Sequence, residues 1–240
     1  VLGNYYITME KPGQEGEGRV FKNSNEALMA YNRREVTLHT RIVVPVNSFK
    51  HKVFLDPHKN QYLVTTAGKL IFNEILPDSF PYINEASKEN IENITPSKFF
   101  LPMGSNIKEE IAKMEPVAPF IKKNLSQIIA QIFKRYKTTE TSGVLDAMKD
   151  LGFKYSTVAG ITVSAFDIVS AKGKDAKIEE GQAKVDKINK QFQRGLITEE
   201  ERYNNVIQVW NNTKDAVEAE LKEISGGDHK NPIFMMMNSG

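Results

Sequence analysis

The chain has 240 residues, 40% of them hydrophobic, a formal net charge of +2 and no cysteine. That length supports one or two domains with a real core, and the missing cysteines exclude disulfides, thiolate zinc sites and a thiol nucleophile. No apolar run approaches the ~18 residues of a membrane span, and no charged-then-apolar leader is present, so the expected setting is a reducing cytoplasm without a membrane.

Residues 1–82 read as a mixed α/β segment. Asn25–Tyr31 predicts a short helix, while Val36–Val46, rich in β-branched residues and partly alternating, predicts a strand. Tyr62–Thr66 predicts a second strand. Gly13, Gly16 and Gly18 mark a loop, but no Gly-Lys-Ser/Thr follows, and Glu15 and Glu17 within it would repel phosphate. A plain turn is the expectation there. Gly68-Lys69 runs into Leu70 and so lacks the hydroxyl that would hold magnesium in a P-loop.

Residues 83–119 turn polar and are punctuated by Pro96, Pro102, Pro116 and Pro119, which predicts a surface excursion with a short helix at Ile107–Lys113. Residues 120–174 hold two helices. Leu125, Ile128, Ile129, Ile132, Phe133 and Tyr136 form the stripe of the first, with Lys134, Arg135 and Lys137 in its last turn, where the dipole favours cations. Val144, Leu145, Met148 and Leu151 mark the second, closing on Gly152 as a C-cap.

Residues 175–224 spell an antiparallel helical hairpin. Ile178, Val185, Ile188 and Phe192 make one stripe, and Val206, Trp210, Val217, Leu221 and Ile224 the other. Gly195 supplies the residue tolerant of positive φ where the first helix stops. Thr198 with Glu201 three residues later is a capping box that starts the second. At 1.5 Å per residue the arms reach ~27 Å and ~39 Å. Trp210 is expected in the hairpin core. From Asp175 to Ile224 there are eight Lys or Arg against eleven Asp or Glu, a balance of −3 that leaves +5 for the remainder. An acidic rod is a poor clamp for phosphates, which are held by Lys and Arg, so it suits a protein partner better than nucleic acid; a solvated coiled coil without a partner is the plainer reading. Residues 225–240 form a tail. The fold class is α+β, mostly helical: a small strand-containing N-terminal part, a helical middle and a protruding antiparallel coiled-coil hairpin.

No catalytic constellation emerges. His39, His51, His58 and His229 are scattered and read as surface residues, since zinc needs three or four convergent ligands. No Asp-x-Asp cluster is present for two magnesium ions, and Ser126, Ser142, Ser156 and Ser164 lie in no nucleophile-elbow pattern. No catalytic and no metal-ligating residue is assigned.

The hairpin turn, Arg194-Gly195-Leu196-Ile197-Thr198-Glu199-Glu200-Glu201-Arg202-Tyr203-Asn204, resembles the rim-helix turn of the β′ subunit of bacterial DNA-directed RNA polymerase. Leu2–Tyr6, Gly16–Phe21, Leu38–Arg41, Thr65–Pro77, Leu151–Ser156 and Asn231–Met236 resemble that subunit in the same order, so the similarity runs from end to end. The wording of 83–119 resembles the Firmicute form. Val1 in first place and the break at Ser239-Gly240 read as a fragment.

The resemblance implies the pore and funnel that line the polymerase secondary channel, through which nucleotides reach the active centre, and rim helices on which Gre-type coiled-coil factors dock. It implies a nucleotidyltransferase whose catalytic Asn-Ala-Asp-Phe-Asp-Gly-Asp loop lies outside this chain, so the isolated chain is expected to be inactive. Magnesium and zinc are implied for the whole subunit and no cofactor for this segment. The implied partners are the other polymerase subunits, with DNA and RNA reached only through the whole enzyme. Arg202, Tyr203, Asn204 and Asn205 are the implied regulator-binding residues; Asn205 stands where the family often has Lys or Glu. Read from the residues alone, Arg202 is either a fork for a partner's carboxylate or the partner of Glu199, and Tyr203 either an interface anchor or a brace on Leu196 or Ile197. Two departures from the family are Met237-Asn238, where an Asp is usual before Ser-Gly, and Ser164 in place of a Gly. The competing reading from a different class is a free-standing helical-hairpin interaction module.

Overall fold

The computed structural model describes residues 1–227 and 231–240, so His229 lies outside the described residues. They divide into two compact units, Val1–Ile161 with Met236–Gly240, and Thr162–Met235. The fold is α+β and mostly helical.

The first unit is organised around α1 (Leu2–Thr8), which is buried on nearly every side. A Cβ on Gly3 would lie 1.8 Å from the carbonyl oxygen of Gly152, and one on Gly68 would lie 1.9 Å from that of Ile7. Only glycine permits either approach. This also accounts for Gly152, which does not end its helix as expected. It lies inside α6, where Asn4 Nδ2 sits 3.0 Å from the place of a Cβ, and the helix runs on to Gly160 at φ 59°.

After α2 (Ser24–Asn32), capped by Asn23, comes a three-stranded antiparallel sheet of β1 (Arg41–Pro45), β2 (Gln61–Thr66) and β3 (Phe100–Pro102), in that order. Arg41 faces Thr66 and Leu63 faces both Val44 and Phe100. The strand expected over Val36–Val46 begins only at Arg41. Before it, the Thr40 hydroxyl accepts from the Thr37 backbone at 3.0 Å and pairs with the Thr37 hydroxyl at 2.8 Å. Threonine side chains there satisfy groups that a ladder would otherwise use. The glycine loop is a set of turns, with Gly13, Gly16 and Gly18 all at positive φ and Glu17 turned inward onto Arg41 at 2.6 Å.

α3 (Ala67–Glu74) starts on the Thr66 cap and buries Leu70 and Phe72. Residues 83–119, read as a surface excursion, contain α4 (Lys88–Glu92), β3 and α5 (Ile107–Lys113), and they bury Ile83, Asn84, Asn90, Ile91, Leu101 and Ile111. Their polarity has an internal use. Asn73 donates to and accepts from the Ile83 backbone, at 2.9 and 2.7 Å, and Asn90 accepts from Asn84 N at 2.9 Å.

α6 (Lys122–Ala159) comprises the two expected helical segments, meeting at Lys137, whose φ of 64° and ψ of −158° are not helical. Leu125, Ile128, Ile132, Val144 and Met148 enter the core with Ile7, Phe72, Phe80 and Phe120, while Phe133 and Leu145 from the predicted stripes face solvent. Asn238, at the departure from the family pattern, hydrogen-bonds the side chain of Tyr5.

Several charged or titratable groups lie inside this unit, Lys69, Glu10 and His39 among them. Lys69 Nζ meets Glu10 Oε1 at 2.5 Å with both side chains buried, and the other Glu10 oxygen accepts from the Val117 backbone at 3.0 Å. Burial pulls the Lys69 ammonium down and the Glu10 carboxylate opposes that pull. Truncating one partner strands the other charge, so Lys69→Met should destabilise the chain by about 3–5 kcal/mol in urea titrations, with Lys69→Met/Glu10→Leu recovering much of the loss. His39, read as a surface residue, is 4% exposed. Burial, with the charge of Lys11 adding to it, pulls its imidazole from 6.5 down to about 4. The unfolded chain then binds the extra proton first, so stability is complete above pH 6.5 and falls as the pH drops towards 4. Up to about 3 kcal/mol is at stake. Chemical denaturation between those pH values should show this slope, and His39→Gln should flatten it.

Candidate docking hairpin

The second unit carries the hairpin. α7 (Lys174–Gln193) ends on Arg194, after which Gly195 takes φ 71°. Gly195 N–H donates to Phe192 O at 2.8 Å and Leu196 N–H to Gln191 O at 3.0 Å, the paired bonds of a Schellman close. α8 (Glu199–Gly227) opens on the predicted capping box: Thr198 N–H donates to Glu201 Oε2 at 2.8 Å and Glu201 N–H to Thr198 Oγ1 at 3.2 Å. The turn is closed at both ends by its own residues.

The arms are antiparallel, as their cross-contacts step in opposite directions. Gly173 N–H and Lys177 Nζ both reach Glu220, at 2.8 and 2.6 Å, a Cβ on Gly181 would sit 2.8 Å from Thr213 Oγ1, and Arg202 meets Asn189. Lys177 beside Glu220 holds its carboxyl below the usual range, with the Gly173 N–H assisting. The sheltered positions of α8 include Arg202, Val206, Val209, Thr213, Val217, Glu220, Leu221 and Ile224, and those of α7 include Lys177, Gly181, Val185, Ile188 and Asn189. Val206, Val217, Leu221 and Ile224 of the predicted stripe are sheltered, and the seam departs from it at Trp210. Val209 rather than Trp210 occupies it, and Trp210 is 36% exposed with its ring edge over Gly181. Ile178 and Phe192 are likewise marginal.

The four sequence-predicted site residues separate into two groups. Arg202 is turned inward: its guanidinium grips both carboxylate oxygens of Glu199, reaches Asn189 Oδ1 at 3.4 Å and lies 5.4 Å from the Phe192 ring centre. Glu199 thereby holds the Arg202 pKa above its ordinary value. Tyr203, Asn204 and Asn205 face solvent, Tyr203 being 60% exposed and Leu196 68%. With both side chains this exposed, Tyr203 is not buried against Leu196, while Ile197, the other candidate for a brace, is partly buried. Ile207, one turn on from Tyr203, is also exposed and extends the apolar face towards Trp210. Sequence reading missed Ile207, although its spacing of four from Tyr203 was available.

Elsewhere in this unit Ser164 accepts from Phe166 N–H at 3.3 Å, and Asp167 accepts from Ser164 N–H at 2.8 Å. The hydroxyl that replaces glycine thus closes a short turn. Among the described residues no three His, Cys, Asp or Glu side chains converge as a metal site, and no helix is long and apolar enough to cross a membrane.

A family model described as RNA polymerase Rpb1, domain 3, matches residues 1–168. The chain belongs to this polymerase family. The β′ subunit of DNA-directed RNA polymerase from Bacillus cytotoxicus is 59% identical over 241 residues, covering 100% of this chain and 20% of that subunit. Those of Bacillus anthracis and Geobacillus kaustophilus are each 57% identical over 240 residues, with the same coverage. The chain spans about a fifth of the length of the curated relatives it matches. The Firmicute-like resemblance holds, and this Rpb1-family chain is a β′-type polymerase segment.

Because Trp210 sits on the margin of the seam, Trp210→Ala should cost about 1–2 kcal/mol of hairpin stability, short of the 3–5 kcal/mol of a fully buried aromatic. Thermal unfolding followed by circular dichroism measures it; a full-sized loss would place the ring in the core after all.

Proposed function

We propose that this chain supplies the secondary-channel part of a DNA-directed RNA polymerase. Residues 1–82 form the pore-like part and residues 120–174 the funnel-like part of the channel through which nucleotides reach the active centre, and α7 with α8 forms the rim on which Gre-type coiled-coil regulators dock. The catalytic aspartates and both metals belong to other segments of the subunit, so this chain contributes shape and docking rather than the nucleotidyl-transfer step. It works in the cytoplasm with the other polymerase subunits and meets DNA and RNA only through the whole enzyme. Family membership and near 60% identity to β′ subunits support the polymerase context.

The observation that carries the docking role is the tip: a turn made rigid by its own caps, with Tyr203, Asn204 and Asn205 left facing solvent. A rigid aromatic presented without loss of side-chain freedom is the kind of group that dominates protein interfaces. The hairpin's charge of −3 argues in the same direction, away from phosphate and towards protein. Arg202 acts as an internal clasp for the turn, which leaves Tyr203 as the anchor.

In reconstituted polymerase, Tyr203→Ala should weaken binding of a Gre-type factor about tenfold or more while leaving hairpin helicity intact. Arg202→Ala should instead lower the melting temperature of the hairpin. Tyr203→Ala with unaltered affinity would remove the tip from the interface.

A further inference from the structure

A cleft of about 500 Å³ in the first unit is lined by the loop that follows β1, by the C-terminal half of α3 and by Asp78 beyond it. The loop brings three basic residues to its wall. Lys50 and His51 are exposed, whereas Lys52 is half-buried and still reaches the cleft. Lys52 Nζ donates to Leu76 O at 2.9 Å and to Pro77 O at 3.1 Å, the carbonyls that follow α3. An ammonium carries three N–H groups. A neutral amine carries two, with a lone pair in the remaining position. Two carbonyls therefore satisfy the neutral amine in full and the ammonium only in part.

The charged groups around Lys52 do not restore the balance. Glu74 on α3 and Asp78 after it favour the ammonium, but His51 lies 3.8 Å from Asp78, and the Tyr82 hydroxyl is occupied by that of Thr65 at 2.8 Å. Burial outweighs both carboxylates and brings the amine from 10.5 down to about 8. Among the described residues Lys69 is lowered as well, but it is sealed in the core and held by Glu10. Lys52 combines a weakened ammonium with access.

We propose that Lys52 is a modification site at which the amine accepts a small acyl group from an acyl phosphate. The Nζ lone pair attacks the acyl carbon, the bond from that carbon to the phosphate oxygen breaks, and phosphate leaves with the bonding electrons. Nζ releases one proton to solvent. Lys50, two residues away on the same wall, supplies a positive charge for the phosphate of the donor. The product amide is neutral and keeps one N–H. One carbonyl at the end of α3 thereby loses its donor, and Glu74 and Asp78 lose the charge they face, so acylation loosens the junction between this loop and α3.

At pH 8 about half of such amines are neutral, against roughly 0.3% for an amine at 10.5. Lower basicity also weakens the lone pair, and a slope like that of thiols gives back about one decade of this gain. Roughly tenfold remains.

The test incubates intact polymerase carrying this segment with acetyl phosphate from about pH 6 to about pH 10 and follows acetylation residue by residue with mass spectrometry. At pH 8 Lys52 should react roughly tenfold faster than Lys50, and its rate should level off above a midpoint near pH 8. Glu74→Gln removes a charge that favours the ammonium, so it should move that midpoint lower, which mere accessibility would not do. Lys52 reacting no faster than Lys50 would overturn the proposal. So would a rate that keeps climbing to the top of the pH range, or a midpoint that Glu74→Gln leaves in place.

Discussion

The Lys69–Glu10 ion pair is the point on which the first unit converges. Lys69 rises from the first turn of α3, Glu10 follows α1, and the second carboxylate oxygen of Glu10 holds the backbone at Val117, which leads into α6. Three segments far apart in sequence are therefore tied at one buried charge. Such a pair is weak evidence for net stability, because desolvation offsets most of the attraction. Its force lies in register: any displacement of one segment leaves a charge unpaired in a dry interior. The neighbouring bonds follow the same logic, with Thr8 Oγ1 accepting from Phe120 N–H at 2.9 Å and Asn4 Nδ2 donating to Met148 O at 3.0 Å.

Close backbone approach makes those ties possible. α1 can reach the Gly152 turn of α6 because Gly3 has no side chain, and α3 can reach Ile7 because Gly68 has none. Once the helices touch, polar side chains rather than apolar ones finish the joints. That is why residues 83–119 look soluble in sequence yet sit partly inside: Asn84, Asn90 and Thr95 are buried because their amides and hydroxyl satisfy backbone carbonyls of Val64 and Tyr82. A two-helix hairpin has no such interior. Its seam shelters only Gly181 and Val185 fully within α7, so its order depends on caps, the Glu220 clasp and the Arg202 clasp at the turn. What remains outward is available to a partner.

Much of this was legible beforehand for identifiable reasons. The hairpin turn was readable because Gly195 and the Thr198–Glu201 box act locally, within a few residues. Tyr62–Thr66 was readable as a strand because it is a short run of aromatic and β-branched residues. Trp210, Gly152 and His39 were misread because hydrophobicity, conformational freedom and polarity each have two uses, and only the opposing surface selects one. Arg202 carried two readings from the outset, and in the fold its fork meets Glu199, three residues away.

By itself, the sequence determined the polymerase kinship, the helix periodicities, the caps and the antiparallel hairpin, since each depends on neighbours within about a turn or on the wording of whole segments. Tertiary structure decided which face of each helix is the seam, that the polar 83–119 segment lends a strand to the sheet, and that Lys69, Glu10 and His39 are dry. Those outcomes depend on which distant groups arrive at the same place. Desolvation and close packing act on that arrangement rather than on the chain order.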